Sequence, residues 1–282
     1  MPQTTIDLLN KGITANHTDR FRRGNLVRLP QEGSLVIAGD LHGHRRNFER
    51  IVAHADLENR PDRHLVLQEI IHGGPEDDAG GCLSYQLLFE AVRLKVAFPD
   101  RVHFILANHD TACICNSEVM KNGKEMNWAM SAALERQFSH ATADVKLALK
   151  QFLFTQPLAI RCDNRVWVSH SLPADRFCDT FDPGIFDREL QIGDCEKPGG
   201  AYTLTWGRRH SQTTLDKLAE RLDADVFVVG HQAQPNGWCQ AGINLLILAC
   251  DHNHGCLIDI DLTQPTTADQ LADKIIPLAS IS

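Results

Sequence analysis

The chain has 282 residues, enough for one large domain or two small ones. Hydrophobic residues make 43% and charged residues 23%, an ordinary balance for a globular protein that buries its own core. A net charge of −8 argues against broad nucleic-acid binding, which needs a basic face, but not against a small phosphorylated substrate whose charge metal ions can meet.

The longest apolar stretches, such as residues 243–250, are too short to span a bilayer, and residues 1–33 lack the basic-then-apolar pattern of a secretory leader. A cytoplasmic location without membrane attachment is the expectation. Nine cysteines stand at irregular spacings with no C-x-x-C pair, so they read as reduced, mostly buried thiols rather than a zinc ribbon.

In chain order, residues 1–33 are polar and mixed, with a basic cluster at 20–23, and read as a surface arm or a helix packed on the body. Residues 35–38 read as a buried strand. A helix over 45–55 follows, with Phe48, Ile51, Val52 and Ala55 at three- and four-residue steps. Residues 64–67 give a second strand, and 73–81 a loop by their glycine and proline content. The strongest helical pattern spans 82–98, through Leu83, Leu87, Leu88, Ala91, Val92 and Val96.

A third strand is predicted over 102–106. Residues 111–156 read as a helical insert or cap bordering a site. One helix there is marked by Trp128, Ala132, Leu134 and Phe138, another by Val145, Leu147, Leu149 and Phe152. Residues 157–161 and 166–169 read as paired strands around a polar turn. Residues 171–205 are irregular, 213–222 helical, and 226–229, 243–249 and 256–260 are strands. The whole predicts one mixed α/β domain of two sheets flanked by helices.

Five of the apolar runs end in metal-type donors: Asp40 with His42, Glu69, Asn108 with His109, His170, and His231. A single histidine at a strand end is usually structural, and this chain has 14. The joint pattern is more specific, because all five lie at predicted C-terminal strand ends, where open α/β folds place their ligands. The set suits two hard or borderline divalent ions sharing a carboxylate. Asp40 and His42, two apart on an extended segment, are expected on one side, and Glu69 is expected to bridge. Two ions roughly 3.5–4 Å apart clamp a phosphoryl group and generate a hydroxide for in-line attack. His109 is placed to protonate the leaving oxygen.

Asp40-Leu-His42-Gly43, Asn108-His109-Asp110, Ser169-His170, Gly230-His231 and Leu204-Thr-Trp206 together resemble the motifs of the calcineurin-like metallophosphoesterase superfamily. Within it the chain is most similar to the phosphoprotein (serine/threonine) phosphatase branch, over about residues 34–260. The resemblance implies a four-layer α-β-β-α sandwich and two divalent ions, manganese first, with iron or zinc as alternatives. It implies one ion on Asp40 and His42 and another on Asn108, His170 and His231.

The second motif departs from the family's Gly-Asp-x-x-Asp-Arg-Gly. Here Gln68 and Glu69 stand at its start, His72 replaces the aspartate that orients the catalytic histidine, and Gly73 replaces the phosphate-clamping arginine. The sequence offers Asp110, Asp77 or Asp78 to support His109, and Arg45, Arg46, Arg208 or Arg209 to hold phosphate. The expected function is a metal-dependent phosphomonoesterase acting on a phosphorylated protein or small phosphoester. The alternatives are a dinucleoside polyphosphate hydrolase of the same superfamily and a weakly active metal-binding partner protein.

Overall fold

In the computed structural model, which describes residues 1–281, the apolar runs assemble into two sheets. One has five strands in the order β14 (Ile275–Pro277), β13 (Cys256–Asp261), β3 (Ser34–Asp40), β4 (Arg63–Gln68) and β5 (Val102–Ile105). The other has seven, in the order β1 (Arg22–Arg23), β2 (Leu26–Leu29), β8 (Ala159–Cys162), β9 (Val166–Ser169), β10 (Val226–Val229), β12 (Leu245–Leu248) and β11 (Trp238–Ala241). A separate ribbon pairs β6 (Met120–Lys121) with β7 (Lys124–Glu125).

Strands β3, β4 and β5 run parallel, joined by the helices α2 (Arg45–Ala55) and α3 (Ser84–Ala97). Such strands are covered on both faces, which is why they read as unbroken apolar runs. Leu35, Ile37, Val66 and Ile105 pack with Ile160, Val168, Val226 and Val228 of the facing sheet. Their neighbours Val36, Ala38, Leu65 and Leu67 instead share a cluster with helix residues such as Ile51, Leu88 and Val92. The result is the expected α-β-β-α sandwich of two mixed sheets.

Residues 1–33 carry more structure than an arm. Helix α1 (Pro2–His17) lies so close to α3 and to α6 (Thr142–Phe154) that a Cβ at Gly12 would sit 2.7 Å from Val92. Strand β2 then joins the seven-stranded sheet beside β8. Between them, Asp19 enters a buried polar chain. Its Oδ2 accepts hydrogen bonds from Lys95 Nζ and His103 Nδ1, each at 3.0 Å, and His64 Nδ1 lies 3.0 Å from His103 Nε2.

The 111–156 block holds α4 (Asn108–Cys115), the β6–β7 ribbon, α5 (Met126–Phe138) and α6. The inner face of α5 is Ala129, Met130, Ala133 and Leu134, while Trp128, expected inside, is 72% exposed. Residues 249–255 do not turn a hairpin between β12 and β13. They cross from one sheet to the other, because β12 and β13 belong to different sheets. The crossing is tight: a Cβ at Gly39 would lie 2.3 Å from the Leu248 carbonyl oxygen. Asp40 bridges Ala249 there, and the Asp40 carbonyl accepts the Cys250 N–H at 2.9 Å. No helix among the described residues is long and apolar enough to cross a membrane.

Candidate active site

The five strand ends converge at one edge of the sandwich. Asp40 closes β3, Glu69 follows β4, Asn108 opens α4 just after β5, and His170 and His231 follow β9 and β10. His42, Glu69, His72 and His231 all have left-handed backbones, with φ of 43°, 46°, 66° and 66°. Non-glycine residues adopt that conformation rarely, and it clusters at functional sites. Here it turns each strand-end side chain back toward a common point. Asp40 and His42 therefore meet the site through a sharp turn, not through the extended alternation expected of them.

Four donor atoms gather on one side. Asn108 Oδ1 lies 2.7 Å from His170 Nε2 and 2.8 Å from His231 Nδ1, and Glu69 Oε2 lies 3.0 Å from His170 Nε2. Gln68 Oε1, 2.9 Å from His170 Nδ1, accepts that ring's N–H and leaves the Nε2 lone pair facing the cluster. Such an outer partner fixes the tautomer a metal-ligating histidine needs. His231 Nε2 is buried without a hydrogen-bond partner.

A second gathering shares Glu69. Ligand atoms of His42, Glu69 and His109 lie within 4.8 Å of one another, as do those of Glu69, His170 and His231. His42 donates from Nδ1 to the Ile71 carbonyl at 3.1 Å, which leaves its Nε2 lone pair free. Glu69 Oε1 accepts the His109 backbone N–H at 3.2 Å. These lone pairs fit divalent ions, since neutral imidazole nitrogens and carboxylate oxygens are what such ions take. Asp40 stands beside the group of His170 and His231. Its Oδ1 accepts the His231 N–H at 2.9 Å and lies 3.7 Å from His170 Nδ1.

The partner of the His109 ring is His72, with the two Nδ1 atoms 3.1 Å apart. Asp110, expected to support that ring, is committed to α4 instead. Its Oδ2 accepts the Ala107 N–H at 3.0 Å and faces Gln156 at 3.4 Å. Asp77 bonds Arg136 and its own loop, and Asp78 is exposed. Of the arginines, Arg45 pairs with Glu90 and Arg46 is exposed beside residues 279–281. Arg208 reaches the His231 carbonyl at 3.4 Å, and Arg208 and Arg209 line a cavity of about 600 Å³ with Trp206. Cys250 bonds the backbone of Gly39 and Cys256 and joins neither donor group.

Burial dominates the electrostatics. It raises Asp40 to about 6 and Glu69 to about 8, and pushes Asp110 well up, with Glu69 adding to that. It drives the imidazoles of His42, His109 and His231 far toward their neutral forms. Lys121, which the sequence reading passed over, opposes the burial of Glu69 and further disfavours a charged His42 or His109. Its Nζ bonds Asp251 Oδ2 at 3.1 Å. Gln68 was also missed, though its place immediately before Glu69 was a signal.

The sequence profile of calcineurin-like phosphoesterases matches residues 33–235, most of the chain. The chain belongs to the calcineurin-like phosphoesterase family. It is therefore a phosphoester hydrolase of a metal-dependent family, and its fold agrees. A protein serine/threonine phosphatase from Saccharomyces cerevisiae, with similarity to human phosphatase PP5, matches with a TM-score of 0.71 and 13% identity. That match covers 99% of this chain and 93% of the other. The cold-active protein-tyrosine phosphatase of a psychrophilic Shewanella matches with a TM-score of 0.57 and 12% identity, over 89% of this chain and 82% of its own. At such identities these likenesses establish the shared fold. No curated protein sequence matches the phosphoesterase.

Gly230 gives the site a direct test. A Cβ there would lie 2.2 Å from Asp40 Oδ1 and 2.9 Å from Gln68 Oε1. Gly230→Ala is expected to displace both and weaken metal affinity about 10–100-fold, as loss of outer-shell support does. Competition against a fluorescent chelator reads it. An unchanged affinity would show that neither Asp40 nor Gln68 supports the ligands.

Proposed function

We propose that this phosphoesterase is a dinuclear-metal phosphomonoesterase acting on a phosphorylated protein or small phosphoester. The observation that carries the reading is the pair of donor groups meeting at Glu69. In this reading Asp40, His42 and Glu69 would hold one ion, and Glu69, Asn108, His170 and His231 would hold the other. Bound divalent ions supply Lewis acidity and a lowered water pKa. Manganese is the first candidate, with iron or zinc next. The nine unpaired cysteines support a reducing, cytoplasmic setting.

The chain's own contribution centres on His109. Two tautomers satisfy its bond to His72. If His109 donates, His72 carries its proton on Nε2, and that buried nitrogen has no partner. If His72 donates, only a lone pair is left unmatched, which is the commoner kind of orphan in proteins. The second arrangement leaves His109 with Nε2–H, a donor rather than a ligand, suited to deliver a proton to the leaving oxygen. Arg208, on the His231 carbonyl, is the arginine that stands at the donor cluster.

The metal-reconstituted protein is expected to hydrolyse an aryl phosphate with Mn²⁺, to lose that activity to chelator, and to bind two ions per chain by elemental analysis. Protein carrying two ions that turns over no aryl phosphate, phosphopeptide or other phosphomonoester would end this reading. Preference for a dinucleoside tetraphosphate over all of these would replace the substrate class.

A further inference from the structure

Two bound ions would meet much of the charge of a phosphoryl dianion here, and a cation from the protein would add a direct grip on its remaining oxygens. Residue 73 cannot supply one. A Cβ at Gly73 would lie 2.6 Å from the His42 carbonyl oxygen, because backbone 73–74 packs directly on 42–43. Arg45 is held by Glu90 on α3. Arg208 is anchored at the His231 carbonyl.

The β6–β7 ribbon also borders the site. Three contacts fix it there. Asn127, just after the ribbon, donates from Nδ2 to the carbonyls of Ala112 and Ser117, tying it to the helix that carries Asn108 and His109. Lys124 Nζ donates to the Gly80 carbonyl at 2.9 Å, on the loop that follows His72 and Gly73. Lys121 Nζ donates to Asp251, the residue after Cys250, whose N–H bonds Asp40. The ribbon is thus fastened to the loop after Gly73 and to Asp251, and the Lys121 charge it carries bears on Glu69, His42 and His109. The Lys121 side chain is 25% exposed, so it is both held and reachable.

We propose that Lys121 is the ribbon-borne cation that binds the substrate phosphoryl group, alongside Arg208. This rests on the phosphomonoesterase reading above. An ammonium has three donors, and Asp251 takes one, so Lys121 can grip a phosphoryl oxygen without leaving its partner. The ammonium is a point charge that needs no planar, bidentate geometry, which suits a donor arriving on a long flexible stem. A two-residue strand turned by Asn122 and Gly123 gives this cation a position that an arginine at residue 73 has no room to occupy.

The experiment measures inorganic phosphate binding to the Mn²⁺-loaded full-length protein by calorimetry, beside KM and kcat for an aryl phosphate. Lys121→Met is expected to weaken phosphate binding and raise KM about 10–100-fold, the scale of a lost charged hydrogen bond. Two bound ions should remain, and Lys121→Arg should restore most of the loss. Asp251→Asn separates this from a tether, since it breaks the same ion pair but keeps the lysine. It should bind phosphate as tightly as wild type or more so. Unchanged phosphate affinity in Lys121→Met overturns the proposal, and so does an equal loss in Asp251→Asn. Wild-type protein that binds phosphate but hydrolyses no phosphoester overturns the proposed function alone. Wild-type protein that hydrolyses the ester but binds no phosphate overturns the Lys121 proposal alone.

Discussion

Replacing His109 by alanine is expected to cut turnover about 10²–10⁴-fold while two ions remain bound, the scale of losing a positioned general acid. The expectation follows from which nitrogen of His109 is free. Nδ1 faces His72 at 3.1 Å, so the ring presents Nε2 to the site. Substrate already carrying a good leaving group needs less protonation, so a nitrophenyl ester should lose less than a phosphoserine peptide. Loss of an ion along with activity would mean that His109 is a ligand with His42 and Glu69, whose donor atoms lie within 4.8 Å of its own. Metal content and leaving-group dependence together distinguish the two roles.

The second large effect concerns the scaffold. Asp19→Ala is expected to destabilise the fold by about 3–5 kcal/mol, because it leaves the Lys95 ammonium buried without its counter-charge. Both side chains are only 2% exposed. Burial alone would raise the Asp19 carboxyl, but the His103 hydrogen bond and the charges of His103 and Lys95 outweigh it and hold it below the usual carboxylate range. The sign for pH follows from that depression. The contribution is full above the unfolded value of about 3.9 and is lost as pH falls below it toward the folded value. Urea unfolding at pH 7 measures the loss, and wild type and variant should converge in stability toward acid. A loss under 1 kcal/mol at pH 7 would mean that water reaches Lys95. The double variant Asp19→Leu, Lys95→Met should recover part of the loss, since paired removal leaves no orphan charge.

The sequence made the central strands plain because β3, β4 and β10 are buried on both faces and so carry unbroken apolar runs. Helix α2 was legible to its ends, since a regular apolar stripe is a local property. Strand β2 was not, because its four residues sit in a polar stretch and become a strand only by pairing with β8, more than 130 residues away. The donor residues could be picked out because each closes a run. Their supporting contacts could not. Asp110 looked like a partner for His109 by adjacency, yet the start of a helix turns it back onto the Ala107 N–H. His72 looked like a loss, yet it bonds the His109 ring. Lys121 lies in a stretch with no apolar period and acts on Glu69, His42 and His109 from a ribbon that only tertiary contacts hold in place.

The narrow crossing at Gly39 has one more consequence. Asp40, His42, Glu69 and Asn108 come from the five-stranded sheet, whereas His170 and His231 come from the seven-stranded one. Elsewhere the two layers are held chiefly by interleaved aliphatic side chains, which have no direction and tolerate sliding. An ion gripped by donors of both layers works as a rivet through the stack. Affinity for the ion and cohesion of the sandwich are then one free energy seen from two ends. Any substitution that lets the layers shear, however far from the rivet, loosens the ion as well.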